Sequence, residues 1–224
     1  MYLHLIAKNF LTYGVRGLWG KVLAGFLLLA PPLCAEEMTV LAVGDSLVQG
    51  FGLPEADGFV PQMQAWLRDR GAEVTIINAG VSGDTTAGGA ARVDWGLTPG
   101  VDAMIVALGA NDMLRGIDPD ASRANLSRVL AVAREKEVDV LLIGLRAPGN
   151  LGADFKAEFD AIYPGLAEEY GVMLAPDFFA GLEGVAAADL PFYFQPDRLH
   201  PNADGVARIV EGLGPHLLAL IAAD

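Results

Sequence analysis

From residue 38 onward, short apolar and β-branched runs alternate with longer amphipathic stretches, and no other feature restricts the fold of this chain as tightly. Strand-like runs fall at Thr39–Val43, Val74–Asn78, Ala103–Leu108, Val138–Ile143 and Val172–Leu174. Helical periodicity falls at Gly58–Arg70, Pro119–Glu137, Asp154–Tyr170 and Ala203–Ala222, with a shorter helix expected over Thr85–Trp95. Parallel strands need long crossovers, which helices supply, and a sheet covered on both faces has strands that are apolar throughout. The pattern therefore predicts an α/β chain: a three-layer α/β/α sandwich of flavodoxin-like type around a five-stranded parallel sheet. With 224 residues, 53% of them hydrophobic, the chain suits one domain with a full core. No repeat, low-complexity tract or linker marks a second.

The first 35 residues are a different material. Lys8, Arg16 and Lys21 bring positive charge without any acid, the uncharged run Val22–Leu33 follows, and "LCA" leads into Glu36-Glu37. That order predicts a secretory signal peptide over 1–35, cut after Ala35, ahead of a domain over 36–224. The apolar run is short of the roughly 20 residues a membrane span needs, so no stable insertion is expected after cleavage. The destination is periplasmic or secreted. Cleavage would remove the single cysteine, Cys34, and with it any thiol chemistry. The net charge of −13 would become more negative still, and such a surface repels the phosphates of nucleic acid. Of three histidines, His200 and His216 would remain, which argues against a His-based metal centre and leaves two candidate bases.

In an open parallel sheet, ligands bind outside the carboxyl ends of the strands. Each polar motif of this chain sits at such an end or can fold over it. The first strand stops at Gly44-Asp45-Ser46 within "TVLAVGDSLVQGFGL", residues 39–53. The second ends in "NAGVSGDTTAGG" (78–89), the third in "LGAND" (108–112), and "PDRLHPNADG" (196–205) introduces the final helix. Ser46, just past a strand, is placed to present a hydroxyl, but serine is a weak nucleophile unless a base takes its proton. His200 is the better base, because Asp197 three residues earlier can accept its Nδ1–H and leave Nε2 for the serine. Pro201 would fit the first turn of the helix behind it. His216 sits inside that helix with no acid nearby and reads as a surface or packing residue. A tetrahedral intermediate needs donors aimed at its oxyanion. The Ser46 N–H, the Gly83 N–H in a glycine-rich loop and the Asn111 amide supply them.

Plainer readings apply to the rest. "GVSGDTTAGG" lacks the Gly-Lys-Ser/Thr ending of a phosphate loop, and the dinucleotide fingerprint is absent. Asp45 and Asp112 are expected to cap loops, and Asp84 to start a helix. Trp66, Phe159 and Tyr163 are expected in the core. The acids are scattered, so no calcium site is expected.

The four blocks resemble those of the GDSL or SGNH hydrolases, named for a Ser, Gly, Asn and His in four separate motifs. Here these are Ser46 in "GDSL", Gly83 in "SGDT", Asn111 in "GAND" and His200 in "DRLH", with Asp197 as the acid. The resemblance runs from about residue 38 to the C-terminus and is closest to the bacterial periplasmic arylesterase, acyl-thioesterase and lysophospholipase branch. It implies the sandwich derived above, no cofactor and no metal. It also implies a substrate loop in "GANDMLRGIDP", where Leu114 and Ile117 would contact an acyl chain. Val48 stands where close relatives often carry a small polar residue. The expected activity is a monomeric serine ester hydrolase for aryl or short-to-medium acyl esters and thioesters, lysophospholipids among them. A carbohydrate O-acetylesterase on the same residues and a non-catalytic binding protein are the alternatives.

Overall fold

The computed structural model describes residues 37–223, so the expected leader over 1–35 lies outside the described residues. Five strands, β1 (Met38–Gly44), β2 (Val74–Gly80), β3 (Ala103–Ala107), β4 (Asp139–Ile143) and β5 (Met173–Ala175), form one sheet. Their order is β2-β1-β3-β4-β5 and every pairing is parallel. β1 and β3 lie inside the sheet, and their side chains from Val40 to Val43 and from Ala103 to Ala107 are buried on both faces. That explains why they read as continuous apolar runs rather than alternating ones.

The helices are α1 (Ser46–Gln49), α2 (Phe59–Arg68), α3 (Thr86–Gly96), α4 (Ala110–Leu114), α5 (Pro119–Glu135), α6 (Ala153–Tyr170) and α7 (Ala203–Ile221). α3, α5 and α6 pack side by side as one layer, and α2 packs against α7 as the other. The stripe Leu126, Val129, Leu130 and Ala133 faces α5 inward at helical spacing. Local chemistry sets the starts. Asp118 accepts the Asp120 N–H at 2.9 Å with Pro119 as the first helical residue of α5. Asn202 accepts the Gly205 N–H at 3.0 Å to open α7. Pro201 therefore precedes that helix rather than lying in its first turn, and forms an antiparallel bridge with Phe194.

β1 leads outward to β2, and the chain then crosses back over β1 to reach β3. The order reverses there, and a crevice opens above the strand ends. The register places Gly44 opposite both Gly80 and Ala107, so three strand ends finish level. Phe159 and Tyr163 are in the core as expected, whereas Trp66 is only half-buried, its ring under the Arg70 guanidinium at 3.6 Å. α1 and α4 are single turns that no periodicity announces. Among the described residues no helix is long and apolar enough to cross a membrane.

Gly44 is where strand and turn press together. A Cβ there would lie 2.2 Å from Val48 Cγ2 and 2.9 Å from the Ala107 carbonyl oxygen. Gly44→Ala is expected to destabilise the fold by about 1–3 kcal/mol through overpacking. A lowered urea midpoint at unchanged m would register it.

Candidate active site

β1 ends at Gly44, and Asp45 then caps α1 by accepting the Leu47 N–H at 3.0 Å. Ser46 is therefore the first residue of a one-turn helix, which ends at Gly50 in the left-handed conformation with φ 84°. The first N–H of a helix has no intrahelical acceptor, so the Ser46 N–H remains available.

The segment from Gln195 to Pro201 folds over this turn. The Gln195 N–H donates to the His200 carbonyl at 2.8 Å, closing a loop in which Arg198 takes φ 58°. Asp197 Oδ1 accepts the N–H groups of Leu199 and His200 at 2.9 and 3.0 Å. Its Oδ2 lies 2.7 Å from His200 Nδ1, and His200 Nε2 lies 2.9 Å from Ser46 Oγ. A carboxylate can only accept, so Nδ1 carries the proton and Nε2 is free to take one from the serine. The His200 ring first, and then the two backbone donors, hold the Asp197 carboxyl down at about 2. It is therefore ionised wherever the serine could react. The Phe51 ring packs against the imidazole at a tilt of 39°, with centroids 4.6 Å apart. Gln195 Nε2 ties the Phe51 and Pro201 carbonyls at 2.8 and 3.0 Å, fixing the His200 segment relative to the Ser46 turn.

Gly83 follows β2 with φ 80°, a conformation that favours a residue without Cβ. Arg115 Nη2 donates to its carbonyl at 2.8 Å. Asn111 opens from β3 on α4, and its Nδ2 donates to Asp45 Oδ2 at 3.3 Å. Ser46, Gly83, Asn111 and His200 line one cavity of about 320 Å³. Leu47, Met113, Leu114, Leu145 and Phe179 make its apolar wall, and Arg146 and Asp177 line it as an ion pair at 3.5 Å. Burial raises the Asp177 carboxyl above its usual range. Ile117 is not in that lining. Gly116, with φ 63°, turns the chain back so that the Ile117 N–H meets the Asp112 carbonyl at 2.9 Å, and Met113 takes the place expected of it. Among the described residues no cluster of three or more His, Cys, Asp or Glu could hold a metal ion.

Residues 42–208 match the model of the GDSL-like Lipase/Acylhydrolase family. The chain belongs to that family. Esterase TesA of Pseudomonas aeruginosa is 35% identical over 188 residues, covering 84% of this chain and 91% of that one. Thioesterase 1/protease 1/lysophospholipase L1 of Escherichia coli is 33% identical over 201 residues, covering 89% of this chain and 92% of that one. Among solved structures, AlinE4, an SGNH-hydrolase family esterase, superposes with a TM-score of 0.68 at 40% identity, covering 84% of this chain and 97% of that one.

Sequence reasoning missed the bracing of this GDSL site. Asp112 does not cap a loop. It is fully buried and accepts from Thr86 N–H at 2.8 Å, Thr86 Oγ1 at 2.5 Å and Ser122 Oγ at 3.1 Å. Asp84 does not start α3, which Thr85 caps; it pairs with Arg92 at 2.8 Å. No spacing rule singles out Arg92 on an amphipathic helix.

Asp45 is 1% exposed, and burial above all lifts its carboxyl from 3.8 to about 6, against the lowering effect of Leu47 N–H and Asn111. The folded state thus holds that proton more tightly than the unfolded chain. Stability falls as pH rises from about 4 to about 6 and levels off above, with a penalty on the order of 3 kcal/mol at neutral pH. Asp45→Asn removes the titration. Its stability relative to wild type is expected to rise by more than about 1 kcal/mol between pH 5 and 7.5 in denaturant melts.

Proposed function

We propose that this protein is a serine acylhydrolase that cleaves esters and thioesters through an acyl-enzyme. The observation that carries the proposal is the unbroken Asp197–His200–Ser46 hydrogen-bond chain, which opens onto an apolar cavity also lined by Gly83 and Asn111. Ser46 Oγ attacks the acyl carbonyl carbon while His200 Nε2 takes its proton. The carbonyl oxygen gains negative charge, which the N–H groups of Ser46 and Gly83 and the Asn111 amide receive. Collapse breaks the bond to the leaving alcohol or thiol, and His200 returns the proton to it. A water molecule, deprotonated by His200, then releases the acid and restores the serine. Asp197 keeps the imidazole oriented and stabilises its charged form.

The cavity supports the choice of substrate. Leu47, Met113, Leu114, Leu145 and Phe179 suit an acyl chain of short to medium length, and an exposed Phe51 and Leu199 at the mouth suit an aryl or lipid leaving group. The names of the relatives, an esterase and a thioesterase/lysophospholipase, support the same class. This lining does not favour an O-acetylesterase for sugars. One chain supplies every reacting group, in keeping with a monomer. The charged-then-apolar pattern of residues 1–35 supports export to the periplasm, with cleavage after Ala35.

p-Nitrophenyl acetate, butyrate, octanoate and palmitate at pH 8, assayed with protein beginning at Glu36, provide the test. Ser46→Ala and His200→Ala are each expected to lower kcat by more than about 10³-fold, and Asn111→Ala by about 10²-fold. Turnover is expected to peak at butyrate or octanoate. Wild-type turnover no faster than Ser46→Ala on esters and on an octanoyl thioester would sink the proposal. Acetate alone as substrate would point to the deacetylase.

A further inference from the structure

Asn111 meets the cavity through a primary amide, whose two faces have nearly the same shape and opposite chemistry. The NH2 face donates two hydrogen bonds, and the carbonyl face only accepts. A developing oxyanion is held by the first and repelled by the second. The site therefore works only if something decides which face is presented.

The neighbour of that amide is a carboxylate. Asp45 Oδ2 lies 3.3 Å from Asn111 Nδ2, while Asp45 Oδ1 is occupied by the Leu47 N–H at 3.0 Å. With the NH2 toward Asp45, one N–H is used there and the other, on the same nitrogen, is left for the cavity. With the amide reversed, its oxygen would face a carboxylate oxygen across the same gap with no proton between them. Asp45 is buried, so that repulsion is weakly screened. Capping alone does not call for the charge, because serine and asparagine cap helices as well as aspartate does. A buried carboxylate is the costliest of the three, and this one also feels the like charge of Asp84.

We propose that Asp45 is a positioning residue: by accepting from Asn111 Nδ2 it holds the amide with a donor toward the oxyanion. The inference rests on the oxyanion role given to Asn111 above. It assigns the residue preceding the nucleophile a second task beyond the cap.

The test is a double-mutant cycle on p-nitrophenyl butyrate at pH 8, with Ser46→Ala as the blank. Asp45→Asn keeps the shape, and its amide can pair with either face of Asn111. It is expected to lower kcat ten- to a hundredfold with KM within twofold of wild type. In an Asn111→Ala background the same substitution is expected to cost less than twofold, since no amide is left to orient. Asp45→Ser, which keeps a capping oxygen without the charge, runs beside it and replaces it if the asparagine variant does not fold. Equal losses in both backgrounds would overturn the inference, because Asp45 would then act through His200 or through the fold. No loss in the single variant would overturn it too. Wild-type turnover no faster than the blank would instead overturn the hydrolase proposal, and this inference with it.

Discussion

At the carboxyl end of the sheet the Arg92 guanidinium gathers two main-chain carbonyls from adjacent strands. It donates to Ala79 O at 2.7 Å at the end of β2 and to Gly44 O at 2.9 Å at the end of β1, while its Nε meets Asp84 at 2.8 Å. Ser46 lies two residues beyond one of these anchors, and Gly83 lies beside the third. A planar fork with fixed donor directions thus sets the spacing between the proposed nucleophile and the proposed oxyanion glycine, which a flexible ammonium would do poorly. Asp112 does the same for the next strand, locking α4, which carries Asn111, to α3 and α5. The loops of this site are short and braced from below.

Two carboxylates near the serine are driven in opposite directions by their surroundings. Asp197 is partly exposed and receives three hydrogen bonds, so its charge is held. Asp45 is sealed under α1 with two, so its charge is strained. The first steadies an imidazole that must become positive. The second faces an amide that must stay in one orientation. Placing both within one acidic chain is possible because desolvation acts on each carboxyl separately, whatever the net charge.

The alternation of apolar runs and amphipathic stretches made the sheet and the five longer helices legible in the sequence, because burial of both sheet faces leaves a periodic record. The GDSL, GAND and DRLH motifs were legible for a different reason: strand ends in a parallel sheet share one edge, so motifs there converge. Other features left no such record. α1 and α4 are too short to show a period, and Trp66 looks like a core residue until Arg70 is seen above its ring. Ile117 reads as an acyl contact in an apolar loop, yet Met113 and Leu114, and not Ile117, line the cavity. Asp112 reads as a loop cap and Arg92 gives no signal in the sequence, because most of their partners are backbone groups and hydroxyls in other segments. Long-range polar bracing has no local signature.

The Gln195–Pro201 loop has one consequence for the timing of activity. Ser46 and His200 are 154 residues apart, and all three proposed oxyanion donors lie within the first three strands and the segments that follow them. The proposed base comes only with the segment that leads into α7, which packs beside α2 in the same layer. A nascent chain lacking that segment would contain the proposed nucleophile and oxyanion donors but no proton acceptor for them. On the proposed roles, synthesis and catalysis would be separated within a single polypeptide: the chain would gain its proton acceptor only when nearly its last helix is made.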